Sequence, residues 1–231
     1  MIKLENVVLA SPEQMNFVVE GMRNPMNSWG KSDSHDCKQN SSFCMECECN
    51  KIGYRLGEND ISLMQRLSNA GTEHRKYMRM MPVYVRITAP LYWWKEFDTY
   101  KVGTVANSCS TMHKIAEKGF TLGEFSIEHL NDDRSAELSN VEWLEHLIHH
   151  LNRDRLRFIE TKDKQYWWQM IQLLPSSYNQ TRNVMLNYEV LANIYRQRKN
   201  HKLDEWREVC EWIKELPYSE LITGEEDKKI V

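Results

Sequence analysis

The sequence lacks any long hydrophobic run. No stretch of its 231 residues approaches the roughly 20 apolar residues that a transmembrane helix requires. The opening residues, MIKLENVVLAS, also lack the basic and then apolar layout of a signal peptide. These two absences predict a cytoplasmic protein with no segment inside a membrane.

An excess of charge of one sign is also missing. The chain has 30 lysines and arginines against 33 aspartates and glutamates, which gives a net charge of −3. A protein that binds DNA or RNA over an extended surface needs a basic face. The balance therefore argues against bulk nucleic acid as a partner, whereas it leaves room for a small anionic ligand.

Cysteine is scarce outside one polar stretch close to His35. Four of the six cysteines lie there, at Cys37, Cys44, Cys47 and Cys49. A chain without an export signal is expected to keep such thiols reduced. Thiolates and an imidazole could hold zinc, but the second Cys-x-x-Cys half that is usual in such sites is missing. A cysteine-rich loop without a metal is therefore the favoured interpretation, and a zinc site is the alternative.

The hydrophobic pattern predicts short strands among several helices. Residues 2–9 and the alternating segment VYVRIT indicate strands. Ser11-Pro12 and the capping box of Ser139 and Glu142 indicate the starts of helices. Further helices are predicted at about 60–70, 163–174, 184–199 and 203–216.

Residues 89–113, APLYWWKEFDTYKVGTVANSCSTMH, form the most informative stretch of the chain. The stretch resembles, without a gap, the signature segment of the flavin-dependent thymidylate synthases. That signature has a small-residue turn, an aromatic helix, a Gln-Trp pair, the flavin motif Arg-His-Arg-x-x-Ser, and a Ser-x-Arg that holds the nucleotide phosphate. From the Gln-Trp pair onward, this chain has in their place Glu96-Phe97, Thr99-Tyr100-Lys101, Thr104 and Cys109-Ser110-Thr111.

A second segment far along the chain resembles the same family. Leu174-Pro175, Tyr178 and Thr181 precede NYEVLANIYRQR, which is similar to the family pattern Asn-x-Arg-Ser-Leu-x-x-Asn-x-x-x-x-Arg. The asparagines and the last arginine match, whereas Glu189 stands where the family has an arginine. The chain thus resembles a divergent member in which the frame is kept and several charged positions are changed.

The resemblance implies an α+β fold of the thymidylate synthase-complementing-protein type, with a small mixed sheet flanked by helices. One domain would span residues 1–222, with a cysteine-rich loop insertion at 24–52 and a charged tail at 223–231. The family also implies a homotetramer whose sites lie between subunits. FAD would be the cofactor, with NADPH and methylenetetrahydrofolate as co-substrates and a pyrimidine nucleotide as the methyl acceptor.

The same resemblance implies the site residues. Those near the flavin would be Tyr100, Lys101, Thr104, Asn107, Asn187 and Asn193. Those near the nucleotide would be Glu96, Cys109, Ser110, Thr111 and Arg198. No catalytic residue is carried over by the match.

Two of these residues have alternative interpretations. The predicted helix 184–199 places Asn187 and Arg198 on one exposed stripe, because their positions are nearly three full turns apart. The Arg198 guanidinium could bind a nucleotide through two parallel hydrogen bonds. Alternatively, Arg198 could belong to a solvated basic helix end. Cys109 could be a nucleophile, although an inert buried cysteine is the favoured interpretation.

The changed motif residues leave two functions open. The first is a flavin-dependent nucleotide methyltransferase with an altered pyrimidine nucleotide substrate. The second is a non-catalytic protein that binds or sequesters a nucleotide on the same fold. Binding of an intact, unreacted nucleotide would favour the second.

Overall fold

The computed structural model describes residues 2–37, 53–133 and 137–224. Its strands are β1 (Lys3–Leu9), β2 (His35–Asp36), β3 (Tyr54–Arg55), β4 (Pro82–Pro90), β5 (Val105–Ser108) and β6 (Asn179–Asn187). Its helices are α1 (Pro12–Arg23), α2 (Glu58–Asn69), α3 (Leu91–Phe97), α4 (Thr111–Lys114), α5 (Asn140–Thr161), α6 (Lys164–Leu173), α7 (Tyr188–Arg198), α8 (Asp204–Lys214) and α9 (Glu220–Thr223).

The sheet is small and antiparallel, with four strands in the order β1-β4-β6-β5. Strand β4 has the alternation that its sequence predicts, because Val83, Val85, Ile87 and Ala89 are all buried. A separate two-stranded ladder pairs β2 with β3 and places His35 opposite Arg55. The predicted α+β class, a small sheet with flanking helices, is confirmed.

The chain forms two compact units, each assembled from several chain segments. The first contains the described parts of residues 1–5, 86–99 and 106–183. The second contains those of residues 6–85, 100–105 and 184–231. The division into one domain and a charged tail stays a prediction, and residues 225–231 of that tail lie outside the described residues.

The first unit has its core between α5, α6 and the segment that precedes them. Helix α5 begins at the predicted capping box, in which Ser139 Oγ accepts from the backbone N–H of Glu142 and Glu142 accepts from the backbone N–H of Ser139. The apolar stripe behind this cap packs with the aromatic residues that follow α4. This cluster comprises Ile115, Phe120, Phe125, Leu144, Ile148, Leu151 and Met170.

The second unit is organised around a buried carboxylate on α2. Asp60 is fully buried and accepts hydrogen bonds from Arg23 Nε at 2.5 Å and from the hydroxyls of Ser32 and Ser34. The backbone N–H groups of Asp33 and Ser34 also donate to it, each at 3.0 Å. Asp60 therefore ties the loop after α1 to α2, and a buried charge is tolerated because several donors surround it.

One predicted helix is wrong at its beginning. Residues 184–187 belong to β6, with Val184 and Leu186 buried in alternation, and α7 begins only at Tyr188. Asn187 is the N-cap of α7, because its Oδ1 accepts from the backbone N–H of Val190 at 3.0 Å. Asn187 and Arg198 consequently do not share a helical stripe.

The predicted cysteine-rich insertion is only partly within the described residues. Residues 24–37 contain two short 3-10 turns and β2, which ends one residue before Cys37. Cys44, Cys47 and Cys49 lie outside the described residues. Within the described ranges, no group of three or more His, Cys, Asp or Glu side chains is arranged to hold a metal ion. None of the helices in those ranges combines the length and hydropathy needed to cross a membrane.

Candidate functional site

The turn between α3 and β5 carries the residues that correspond to the flavin motif. Gly103 has a φ of +78°, and a Cβ there would lie 2.9 Å from Asn187 Nδ2 and 3.1 Å from Val190 Cγ2. Only glycine therefore allows the turn to approach the N-terminus of α7 this closely. Asn187 Nδ2 in turn lies 3.5 Å from the carbonyl oxygen of Gly103. The structure thus brings this turn and Asn187 together.

Lys101 and Thr104 flank that glycine and differ in their surroundings. Lys101 is exposed and has no carboxylate partner within the described part of the chain. Thr104 Oγ1 is buried and has no hydrogen-bond partner among the described residues. Judged on the described residues, this turn therefore carries one ammonium group without a carboxylate partner and one hydroxyl without a hydrogen-bond partner.

Arg198 is part of a packed cluster in the second unit. Its Nε donates to the hydroxyl of Tyr100 at 2.9 Å, and that hydroxyl donates to Gln197 Oε1 at 2.9 Å. The guanidinium carbon of Arg198 lies 4.7 Å from the ring centre of Trp206, and its NH1 lies 3.0 Å from His201 Nε2. The structure therefore joins the predicted residues Tyr100 and Arg198 directly.

This cluster corrects the expectation of a guanidinium on an exposed helix face. Arg198 is half-buried, whereas its neighbours Arg196 and Lys199 are exposed. The alternative of a solvated basic helix end therefore describes Arg196 and Lys199 and not Arg198. Its aromatic partner Tyr100 is 98 residues away and Trp206 lies on the next helix, α8, which explains why spacing within α7 alone did not reveal the cluster.

Asn193 and Glu189 lie on another side of α7. Asn193 Oδ1 accepts from Arg196 NH2 at 2.7 Å and from Arg75 NH2 at 3.5 Å. Glu189 accepts from Arg79 with both oxygens, and Arg75 Nε lies 3.5 Å from Glu189 Oε1. The acidic residue at 189 is thus compensated by two arginines that the sequence comparison did not connect to it.

The residues that correspond to the phosphate motif line a cleft of about 810 Å³ in the first unit. Cys109 is held at its backbone, because its N–H donates to Thr181 O and its carbonyl accepts from Gln180 Nε2, each at 2.9 Å. Ser110 Oγ accepts from the backbone N–H of His113. Cys109, Ser110 and Thr111 therefore share one cleft.

The favoured interpretation of Cys109 as an inert buried cysteine is wrong in its burial, because the residue is exposed. It lies at the rim of the sheet, where the segment from Val105 to Ser110 is exposed at every position. Exposure makes the thiol accessible to a ligand in the cleft, although it does not by itself make the thiol reactive.

Aromatic side chains also line the cleft. Tyr178 packs edge to face against Phe125 and Phe120, with ring centres 5.5 and 6.2 Å apart. Burial, together with the negative charge of Glu124, raises the pKa of the Tyr178 hydroxyl, so that it remains a hydrogen-bond donor at neutral pH. Phe120 and Phe125 were not predicted as site residues. Their apolar character indicates a core, and only their position beside Tyr178 links them to the cleft.

Basic side chains stand around the same cleft. Lys3, Lys114 and Lys118 line it. Lys114 forms an ion pair with Glu117, whereas Lys3 and Lys118 have no carboxylate partner within the described ranges. These lysines line the same cleft as Thr111, the residue at the position of the family motif's phosphate arginine.

Of the eleven predicted site residues, only Cys109, Ser110 and Thr111 line this cleft. Glu96 is half-buried on α3 and Asn107 is exposed on β5, and neither lines the cleft. Near α3, Arg182 instead stacks on Trp94 with its guanidinium carbon 4.1 Å from the ring centre, and its NH1 donates to Asp98 at 2.7 Å. Trp94 is buried, with its Nε1 bonded to the carbonyl of Gln180, so its role is packing.

Comparison with known proteins gives a match in structure and none in sequence. No family model matches the chain, and no curated protein is significantly similar to it. Thymidylate Synthase X from Helicobacter pylori, in a crystal structure with FAD and dUMP, is similar with a TM-score of 0.61 and 16% identity. That alignment covers 95% of this chain and 94% of the other.

A second crystal structure gives the same result. The flavin-dependent thymidylate synthase ThyX from Helicobacter pylori, complexed with FAD and dUMP, has a TM-score of 0.60 at 15% identity, with 95% of each chain covered. At this identity the similarity shows the fold alone. The fold implied by the sequence resemblance is therefore confirmed over nearly the whole chain.

Proposed function

We propose that this protein binds a pyrimidine nucleotide in the cleft of the first unit and methylates it with FAD, NADPH and methylenetetrahydrofolate. The observation that carries the proposal is the cleft itself. It lies beside Cys109, Ser110 and Thr111, the segment in the place of the family's phosphate motif, in a fold that resembles enzymes solved with FAD and dUMP. Its volume of about 810 Å³ is within the range of small-molecule sites.

The cleft offers the groups that a nucleotide needs. An aromatic wall with Tyr178 and Phe125 suits a base, and the exposed ammonium groups of Lys3 and Lys118 suit a phosphate. A lysine acts as a point charge rather than as a bidentate fork. We therefore expect a nucleotide preference that differs from that of enzymes with the phosphate arginine.

The second unit has groups that fit a flavin. Thr104 Oγ1 is a buried hydroxyl without a partner among the described residues, and Lys101 is an unpaired cation three residues before it. Lys101 would hold the flavin by charge and Thr104 by a hydrogen bond. The side-chain oxygens of Asn187 and Asn193 already accept hydrogen bonds from other residues of the chain. These two residues would therefore bind the flavin through their amide N–H groups. The flavin, when bound, would supply hydride chemistry.

Binding without catalysis is the second candidate, and one observation favours it. Tyr100 occupies the position of the family's motif histidine, and its hydroxyl holds Arg198 Nε. A guanidinium bonded in this way offers fewer donors to a nucleotide, which is the ligand that the resemblance implies for Arg198. On this alternative the nucleotide binds and is released unchanged.

The experiment combines colour, binding and turnover. The purified protein is titrated with FAD by absorbance and with dUMP, UMP and dCMP by calorimetry, and is then assayed with all co-substrates. Methylated product supports the enzyme. Tight nucleotide binding without flavin reduction selects the non-catalytic alternative, and absence of both binding reactions overturns the proposal.

A pair of variants locates the nucleotide. Lys3→Gln with Lys118→Gln should weaken nucleotide binding about tenfold, because two ammonium groups at the phosphate are lost. Lys95→Gln with Lys164→Gln removes the same charge from exposed positions outside the cleft and serves as the control. Equal affinities of the two variants would contradict the assignment of the cleft.

We also propose a homotetramer, because the family resemblance implies sites shared between subunits. Light scattering should give four times the chain mass of 27.6 kDa. A stable monomer would contradict the tetramer and the shared site together.

A further inference from the structure

A second cavity, of about 390 Å³, lies within the second unit, between the end of α2, the outer face of α7 and the end of α9. Three basic side chains line it, those of Arg75, Arg196 and Lys199. No carboxylate lies among the described residues that line it. The cavity is therefore strongly cationic on an otherwise slightly acidic chain.

The most buried of these cations is incompletely neutralised. Arg75 is only 7% exposed, and its Nε has no hydrogen-bond partner within the described ranges. The nearest carboxylate belongs to Glu189, whose Oε1 lies 3.5 Å from that Nε. Both Glu189 oxygens are already bonded by Arg79. One carboxylate thus serves two guanidinium groups, and a positive charge is left over at a buried position.

A second guanidinium is held beside the first. Arg75 NH2 and Arg196 NH2 share a single acceptor, Asn193 Oδ1, at 3.5 and 2.7 Å. An amide oxygen fixes the two groups in place without cancelling either charge. Lys199 Nζ adds a third cation and lies 5.6 Å from the ring centre of Tyr195. Like charges held this close repel each other unless an anion lies between them.

We propose that this cavity, which we call the Arg75 site, binds a small organic phosphate. Two planar guanidinium groups match the oxygens of a phosphate, and the lysine adds a mobile ammonium group. Leu221 and Ile222 contribute an apolar wall for the organic part. The Arg75 site shares no lining residue with the cleft of the first unit. Asn193, which holds Arg75 and Arg196, is also placed at the flavin in the methyltransferase proposal, so the test includes competition by FAD.

The test is a calorimetric titration of the full chain with ribose 5-phosphate, with ribose as the uncharged control. Ribose 5-phosphate should bind and ribose should not. Arg196→Gln with Lys199→Gln should weaken binding at least about tenfold, because two of the three cations are lost. Lys31→Gln with Arg66→Gln removes the same charge from exposed positions outside the Arg75 site and should bind as the wild type does.

A third variant tests the buried cation while keeping the charge. Arg75→Lys retains a positive group and loses the planar fork, so the affinity should fall about tenfold while the circular dichroism spectrum stays that of the wild type. No binding by the wild type at millimolar ribose 5-phosphate would overturn the proposal. So would equal binding by the Arg196 and Lys199 double variant. Displacement of ribose 5-phosphate by FAD would identify the Arg75 site as part of a flavin site and overturn it as a separate one.

Discussion

The contact between Arg198 and Tyr100 can be tested in the free protein, before any ligand is known. Arg198→Ala removes the 2.9 Å hydrogen bond to the Tyr100 hydroxyl and the stacking of the guanidinium on Trp206. A hydrogen bond to a charged group contributes about 1.5 kcal/mol at the lower end of its range. A partly solvated cation over an aromatic ring adds about 1 kcal/mol. We therefore expect the free energy of unfolding to fall by about 2.5 kcal/mol.

Tyr100→Phe removes the hydroxyl alone and keeps the ring that packs on Trp206. This variant should lose about 1 kcal/mol, because the hydroxyl also donates to Gln197 at the surface. The double variant isolates the shared bond. If Arg198 and Tyr100 are coupled as the geometry indicates, their interaction energy in a double-mutant cycle should be about 1 kcal/mol.

The assay is urea unfolding followed by tryptophan fluorescence, with the slope of free energy against urea compared between variants. Lys202→Ala is the control, since Lys202 is exposed in the loop between α7 and α8. This substitution should change the free energy of unfolding by less than about 0.5 kcal/mol. An interaction energy near zero would refute the reasoning. It would mean that Arg198 is held apart from Tyr100 in solution and is free to bind a ligand.

Two further changes test the packing of the second unit. Gly103→Ala should cost about 2 kcal/mol of unfolding free energy, because φ is +78° and the added Cβ would meet Asn187 and Val190; wild-type stability in thermal unfolding would contradict the close approach. Asp60 is a pH-dependent stabiliser: burial alone would raise its pKa, but the bonds from Ser34, Ser32, Arg23 and the Asp33 N–H outweigh burial and lower its pKa below the ordinary 3.8. The stability that the Asp60 carboxylate contributes is therefore present above about pH 4 and is lost as the pH falls through the lowered pKa. Asp60→Asn should be about 3 kcal/mol less stable at neutral pH. When unfolding is measured from neutral to acid pH, this variant should not show the loss of stability that the wild type shows.

The elements that the sequence predicted correctly are those determined by residues close together in the chain. The capping box at Ser139 and the alternation in β4 involve side chains and backbone groups a few positions apart, and both are present. The boundary between β6 and α7 was predicted wrongly, because residues close together in the chain do not determine it. Residues 184–198 contain apolar side chains that suit a helix as well as a strand, and only pairing with a distant strand decides between them.

The candidate site could be predicted only as far as residue identity allows. The match of residues 89–113 to the family segment indicated Cys109, Ser110 and Thr111, and these three do share a cleft. It could not reveal the aromatic wall, because Phe120, Phe125 and Tyr178 meet only after α4 and the strand before α7 are folded together. The bond from Arg198 to Tyr100 joins positions 98 residues apart and was equally hidden.

The acidic residue at 189 links the altered motif to the cationic cavity. A carboxylate that is only 8% exposed needs cationic partners, because desolvation of an unpaired charge is costly. Arg79 satisfies both of its oxygens, and Arg75 approaches the same group from a buried position. The pairing leaves one guanidinium in excess, and that excess is the charge that defines the Arg75 site. Glu189 stands where the resembled family pattern has an arginine, and the structure accommodates this change by placing Arg75 and Arg79 against its carboxylate.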